Sequence, residues 1–445
     1  MLRPSLGWTI PLFLATSWLQ GGELLSLSEA MQRARAGARE VAAATARYEA
    51  AHARLAQAKG LRMPAVSVDE IWTSTDSPAE AFALKLNQER FSFADFITAD
   101  PNHPDRLATA ITRLELALPL YTGGELGSRI SQAKLAADAT SLERTWTANQ
   151  AALAAAEAYV MVDQAREYAA LLERARETVQ AHVKVAQVYV DQGMLVRSEL
   201  LRAEVELARV DDLLQEARGR ARVAAANLAF RLGAEESATF ELQPLPPPQA
   251  LADGLEGFLA SAAARSDLLA ARSMLQAGEL EQTVKKAAFM PKVGILARGD
   301  MVDDTLFGSH GGSTTVMARA AINLFSGGSD RAALAAARWE AKAGREDVAR
   351  FAEGVRLEVR QAFEEATTAR GRHATAIQAL AAAREAERIT DERFKTGVVR
   401  MIDVLDTATA RREAETRELV SRADAHAAAL RLAVKAGRAP ETVLQ

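Results

Sequence analysis

Residues 116–131 read LALPLYTGGELGSRIS, and residues 321–336 read AINLFSGGSDRAALAA. Both end an alternating, strand-like run with an aromatic residue, a hydroxyl side chain and a glycine pair. Both then enter Ala-rich sequence with no turn residue to close the run. Gly123 and Gly327 stand 204 positions apart. At the same offset Leu120-Tyr121-Thr122-Gly123-Gly124 falls on Leu324-Phe325-Ser326-Gly327-Gly328, Gly193 on Gly397, and Gly233 on Gly437. A gap-free match over about 110 residues is a duplication rather than chance.

Upstream the offset widens. Met63-Pro64 matches Met290-Pro291 and Glu40-Val41 matches Asp267-Leu268, both at 227, so the first copy carries 23 extra residues before its glycine pair. Between the copies lies FELQPLPPPQALADG, residues 240–254, too rich in proline to continue a helix. The expected first repeat spans 23–233: a short helix, strand 64–75, a loop, strand 107–121, long helix 124–192 and return helix 194–233. A Pro-rich connector follows over 234–254. The second repeat spans 255–445: a helix, strand 291–301, strand 313–325, long helix 328–396, return helix 398–437 and a short tail.

No proline occurs between Pro119 and Pro244 or between Pro291 and Pro440, and both intervals are rich in Ala, Leu, Glu and Arg. As one helix, Gly124 to Gly193 would be roughly 100 Å long. The return arm and the helix over about Leu27 to Met63, laid end to end, match that length. Matched lengths predict long antiparallel coiled-coil pairs, since ordinary globular helices stop before about 20 residues.

The strands carry a period of two. In LATAITRLELALPL one set is Ala108, Ala110, Thr112, Leu114, Leu116, Leu118 and Leu120; the other includes Thr109, Arg113 and Glu115. In STTVMARAAINLF, Val316, Ala318, Ala320, Ile322 and Leu324 oppose Thr315, Arg319 and Asn323. Val66, Val68, Val293 and Ile295 extend the apolar set into the partner strands. An apolar face backed by a charged one fits a strand between lipid and a watery lumen, and equally a half-buried soluble sheet. The N-terminus favours the membrane: Arg3 precedes LGWTIPLFLATSWL, a signal-peptide-like stretch too short to span a bilayer as a helix, giving an expected signal over 1–22. Small membrane barrels begin at about eight strands and tolerate no open edge in lipid, so four strands per chain require an oligomer.

Other classes find little support. A net charge of −4 argues against nucleic acid, and the absence of cysteine excludes disulfides, thiolate metal sites and a lipidated N-terminal Cys. The six histidines show no ligand-like spacing, the glycine pairs lack the Lys-Ser/Thr of a phosphate loop, and GSHGGS at 308–313 carries no triad. Neither an enzyme nor a cofactor site is expected.

The chain as a whole resembles the TolC-type outer-membrane channels, the outlets of efflux and type I secretion. The resemblance rests on the tandem strand pairs and long helices, the strand-to-helix junctions, and above all TGVVRMIDVLDTATARREAE at 396–415, similar to the family's second periplasmic turn. FALKLNQERFSFADF at 82–96 is reminiscent of one branch of the family. The resemblance implies a mainly α fold with a membrane β-barrel sector, built as a homotrimeric α/β-barrel channel in the outer membrane with its helical tunnel in the periplasm. It also implies a gate that opens like an iris, and partners in a periplasmic adaptor (membrane fusion protein) and an inner-membrane RND or ABC transporter.

By that resemblance Asp403 and Asp406 stand where the family lines its narrowest passage with acids; their spacing puts both on one helix face. The family's tip arginine slot holds Val399 here, with Arg400 next. Glu199 occupies the first-copy slot of Asp403 and is flanked by Arg197 and Arg202, which suggests ion pairs between copies as a closed-state lock. The turns around Gly193, Met194 and Leu195 and around Gly397, Val398 and Val399 are apolar, as an adaptor-docking tip would be. Tyr121, Gly123 and Gly124, with Phe325, Gly327 and Gly328, form the expected hinge from barrel to tunnel. The competing reading is a periplasmic adaptor or coiled-coil scaffold, against which stands the absence of a Gly-rich lipoyl-like segment.

Overall fold

The computed structural model describes residues 23–98, 100, 102–235, 238–251 and 253–443; the expected signal peptide at 1–22 lies outside them. In the first copy, strands β1 (Glu23–Leu25), β2 (Ala65–Thr75) and β3 (Leu107–Tyr121) alternate with helices α1 (Leu27–Gly37), α2 (Arg39–Gly60), α3 (Pro78–Asn87) and α4 (Asp95–Thr98). Two long helices follow, α5 (Glu125–Asp191) and α6 (Arg197–Leu232). A short strand β4 (Phe240–Leu242) lies in the connector. The second copy is α7 (Leu255–Ala262), α8 (Ser266–Lys286), β5 (Lys292–Asp303), β6 (Gly311–Ala321), α9 (Ser329–Lys395) and α10 (Met401–Lys435).

The duplication is close in helix length: α5 and α9 each have 67 residues, while α6 and α10 have 36 and 35. α5 pairs with α6 and α9 with α10, and α5 also lies against α2, α8 and α10. Their seams are built from alanine, as at Ala151, Ala152, Ala155, Ala156 and Ala158 of α5. Small side chains let the backbones approach closely, and each lost methylene of reach is offset by contact along the full length. No helix among the described residues is long and apolar enough to cross a membrane.

The short helices depart from the single rods expected before each first strand. α1 gives way to α2 at Ala38, whose extended backbone (φ −64°, ψ 136°) interrupts the ladder. The cause is tertiary: a Cβ on Gly233 would stand 2.7 Å from the carbonyl oxygen of Gly37, so the two helix ends touch backbone to backbone. In the second copy the break falls at 263–265, where buried Arg265 is held by Asp267 at 2.7 Å and Glu358 at 3.0 Å and lies over the Trp146 ring. The connector also holds structure. β4 pairs in parallel with β1, and the Tyr159 hydroxyl donates toward the carbonyls of Leu25 (2.9 Å) and Gln243 (2.7 Å). Burial raises the Tyr159 pKa to about 12.

The main sheet is antiparallel, in the order β2-β3-β5-β6, and open at both edges. Register sorts the side chains. Val66 and Val68 share a face with Leu114, Leu116, Ile295, Ala297 and Val316, whereas Asp69, Arg113, Asp300 and Arg298 share the other. On that charged face Arg113 holds Asp300 at 2.8 Å, and Arg298 reaches the same carboxylate at 3.1 Å. β6 ends at Ala321, short of the expected 325: Ala321 pairs with Lys292, the first residue of β5, and the residue before that, Pro291, has no N–H with which to continue the ladder. The segment between β2 and β3 carries α3 and α4 rather than an unstructured loop.

Candidate gate and strand-to-helix junction

At each junction both glycines are left-handed: φ is 66° and 88° at Gly123 and Gly124, and 66° and 86° at Gly327 and Gly328. Two such residues in succession turn the strand direction into the helix axis, a conformation that costs a side chain roughly 1–2 kcal/mol per residue. The preceding hydroxyl supplies the cap. Thr122 Oγ1 accepts the Leu126 amide at 3.2 Å, and Ser326 Oγ accepts the Asp330 amide at 3.4 Å while donating to the Asp330 carboxylate at 2.6 Å. This explains the hydroxyl residue shared by the two copies. Glu125, at the start of α5, takes Lys292 of β5 at 2.8 Å, and this hydrogen bond, ahead of smaller charge effects, holds its carboxyl below the usual range. Gly123 is also tight: a Cβ there would lie 2.7 Å from Met290 Cβ and 3.0 Å from the Ala287 carbonyl. Tyr121 and Phe325 are exposed on this chain.

At the opposite end of the helices Gly193 and Gly397 make the turns, with φ of 72° and 73°. The apolar residues after them divide in the same way in both copies. Met194 and Val398 are 62% and 70% exposed, while Leu195 and Val399 turn inward. Leu195 joins a small core of Ala186, Leu200, Ala203, Met401, Val404 and Leu405, so the two turns are packed together. The Tyr189 and Phe394 rings, 6.0 Å apart, tie the first hairpin to the second there.

The charged tip residues stay within their own helices. Arg202 approaches Glu199 at 3.4 Å, and Arg400 approaches Asp403 at 3.8 Å. The Asp403 carboxylate accepts the Arg400 amide at 2.9 Å and so caps α10. Asp406 is exposed, as are Arg197 and Arg400. Further along the helices ion pairs do join the copies, among them the pair of Arg412 of α10 with Glu206 of α6 at 2.8 Å, both largely shielded from water. Beside it Arg411 holds the buried Glu387 at 2.8 Å. Burial, opposed by Arg411, raises the Glu387 carboxyl above its ordinary range. Neither pair is repeated: at the 204 offset the counterparts of Glu206 and Arg412 are Ala410 and Ala208, and those of Glu387 and Arg411 are Val183 and Leu207.

The sheet has one apolar and one charged face and runs through paired glycines into long helical hairpins. Residues 30–234 and 260–438 match the outer membrane efflux protein family, and the chain belongs to that family. It is 25% identical over 257 residues to the outer membrane efflux protein BepC of Brucella suis biovar 1, a match that spans 56% of this chain and 55% of that protein. Among solved structures it is similar to a membrane protein of Pseudomonas aeruginosa, at 18% identity and a TM-score of 0.79, covering 92% of each chain. It is also similar to the outer membrane protein VceC of Vibrio cholerae, at 18% identity and a TM-score of 0.76, covering 93% of this chain and 96% of that one. These likenesses are likenesses of fold. An outer-membrane location follows from the family.

Proposed function

We propose that three copies of this chain close a twelve-stranded barrel in the outer membrane and continue it as a helical tunnel through the periplasm. The conduit is passive. An inner-membrane RND or ABC transporter drives cargo into it through a periplasmic adaptor, and the exposed Met194 and Val398 are the apolar points on which such an adaptor would dock. Asp403 and Asp406 would line the narrow end as stacked acidic rings, favouring cations. The observation that carries this reading is the sheet itself: both β2 and β6 are unpaired edges, and one face presents Val66, Val68, Leu114 and Val316 to the surroundings. An open edge is intolerable in lipid, whereas a ring of copies removes every edge at once. Heat-modifiable trimers in outer-membrane fractions, with stable conductance in planar bilayers, are the expected result. A soluble periplasmic protein without conductance would instead support the adaptor or scaffold reading.

A further inference from the structure

The segment between β2 and β3, which the channel reading leaves without a role, is folded onto the sheet. Ser77 closes β2 by donating its amide to Thr75 Oγ1 at 3.1 Å, and Thr75 in turn donates to Glu80 in the first turn of α3 at 2.9 Å. Lys85 ties α3 to α4 through Asp95 at 2.5 Å, and the Phe82 and Phe91 rings meet edge to face at 5.2 Å. α3 packs against β3 and also against β6, which are separated by β5, so it crosses the sheet rather than extending it.

The face it crosses is identified by one hydrogen bond. Gln88, buried at the end of α3, donates to Thr109 Oγ1 at 2.9 Å. Thr109 lies on the same face as Arg113 and Asp300, the charged one. The chain then reverses at Glu89, whose φ of 57° is left-handed, and this brings Arg90 back over the end of β5. There Arg90 binds Asp303 at 3.0 Å and the adjacent Asp304, whose carboxyl is lowered to about 2, chiefly by that hydrogen bond. The close fit is visible at Gly311, where a Cβ would collide with the Asn87 carbonyl.

We infer that α3 is a lid over the external mouth of the barrel, latched by Arg90 to Asp303 and Asp304, and that three such lids narrow the opening from the lumen side. This rests on the charged face being the lumen. The latch is the weak point by design of its chemistry: it is a partly exposed charge pair, so it can release without unfolding the strands.

The chain contains no cysteine, so a single introduced thiol reports one position. Val302 is 3% exposed and lies on the charged face between Ile111 and Gly311. Val302→Cys in outer-membrane vesicles should react slowly with a membrane-impermeant thiosulfonate. Adding Arg90→Glu should speed labelling by about fivefold, the scale of a partly exposed pair, and raise unitary conductance. The charge swap Arg90→Glu with Asp303→Arg and Asp304→Arg should restore slow labelling, which a merely misfolded variant would not do. Equal rates in all three backgrounds would overturn the lid. Thr315→Cys and Val316→Cys separate this from failure of the underlying reading. The lumen assignment requires the water-soluble reagent to reach Thr315→Cys and not Val316→Cys, and the reverse would remove both lumen and lid.

Discussion

Arg412 on α10 donates a 2.8 Å hydrogen bond to Glu206 on α6, and this pair joins the two halves of the duplication above the tip. Both side chains are mostly shielded, so removing one leaves the other charge without a partner in a poorly solvated place. Arg412→Ala should destabilise the helical region by about 3 kcal/mol, and the double change to two methionines by markedly less. A double-mutant cycle on thermal unfolding, followed by circular dichroism, reads the coupling; additive effects would count against it.

The tip acids separate into two roles. Asp403 caps α10 through the Arg400 amide, so Asp403→Ala should cost about 1 kcal/mol as well as any charge effect. Asp406 is exposed and makes no such cap. Asp406→Asn should therefore lower cation preference in reversal-potential measurements while leaving the unfolding midpoint in place. Unchanged selectivity in the Asp403→Ala, Asp406→Ala double variant would remove both from the gate.

The junction glycines should not be equivalent. Gly123→Ala and Gly327→Ala share the same positive φ, a cost of about 1–2 kcal/mol each. Only Gly123 also meets Met290 and Ala287 within its own chain. In a monomeric, unassembled preparation Gly123→Ala should therefore melt lower than Gly327→Ala, and equal midpoints would contradict this geometry.

His426 supplies a pH dependence. It is buried on α10, its Nε2 has no hydrogen-bond partner, and burial, with Arg422 and His373 nearby, lowers its pKa to about 4 against a supporting contact from Pro246. Glu418 lies 3.9 Å from His373 and 4.0 Å from Arg422. The unfolded chain binds this proton near its ordinary pKa of about 6.5, well before the folded chain does. Its contribution to stability is therefore full above about 6.5 and is lost as pH falls toward 4. Replacing it by Leu should flatten the midpoint-versus-pH curve in that window, and parallel curves would rule out this residue as the source.

The fold was legible because its signals are local and repeated. Period two in LATAITRLELALPL sorts Leu114 from Arg113 without any knowledge of the partner strands, and eight positive-φ glycines fall in four pairs at the repeat offset. The break at Ala38 was hidden for the opposite reason. No proline sits there, and the cause is contact with Gly233, almost 200 residues away. β1 and β4 are too short to carry a period and are held by Tyr159 from a distant helix. Likewise the Arg412–Glu206 pair depends on how α6 and α10 sit side by side, which no spacing within either helix encodes.

The contact of Gly123 with Met290 and Ala287 has a counterpart that this chain leaves open. By the repeat offsets, the counterpart of Gly123 is Gly327, and the counterparts of Met290 and Ala287 are Met63 and Gly60. Within the chain nothing covers Gly327, and Met63 stands exposed. In the proposed trimer Met63 of a neighbouring copy would seat on Gly327 as Met290 does on Gly123, and three chains would then present six quasi-equivalent units. The covalent seam and the assembly seam would then be the same joint, made once by gene duplication and once by association.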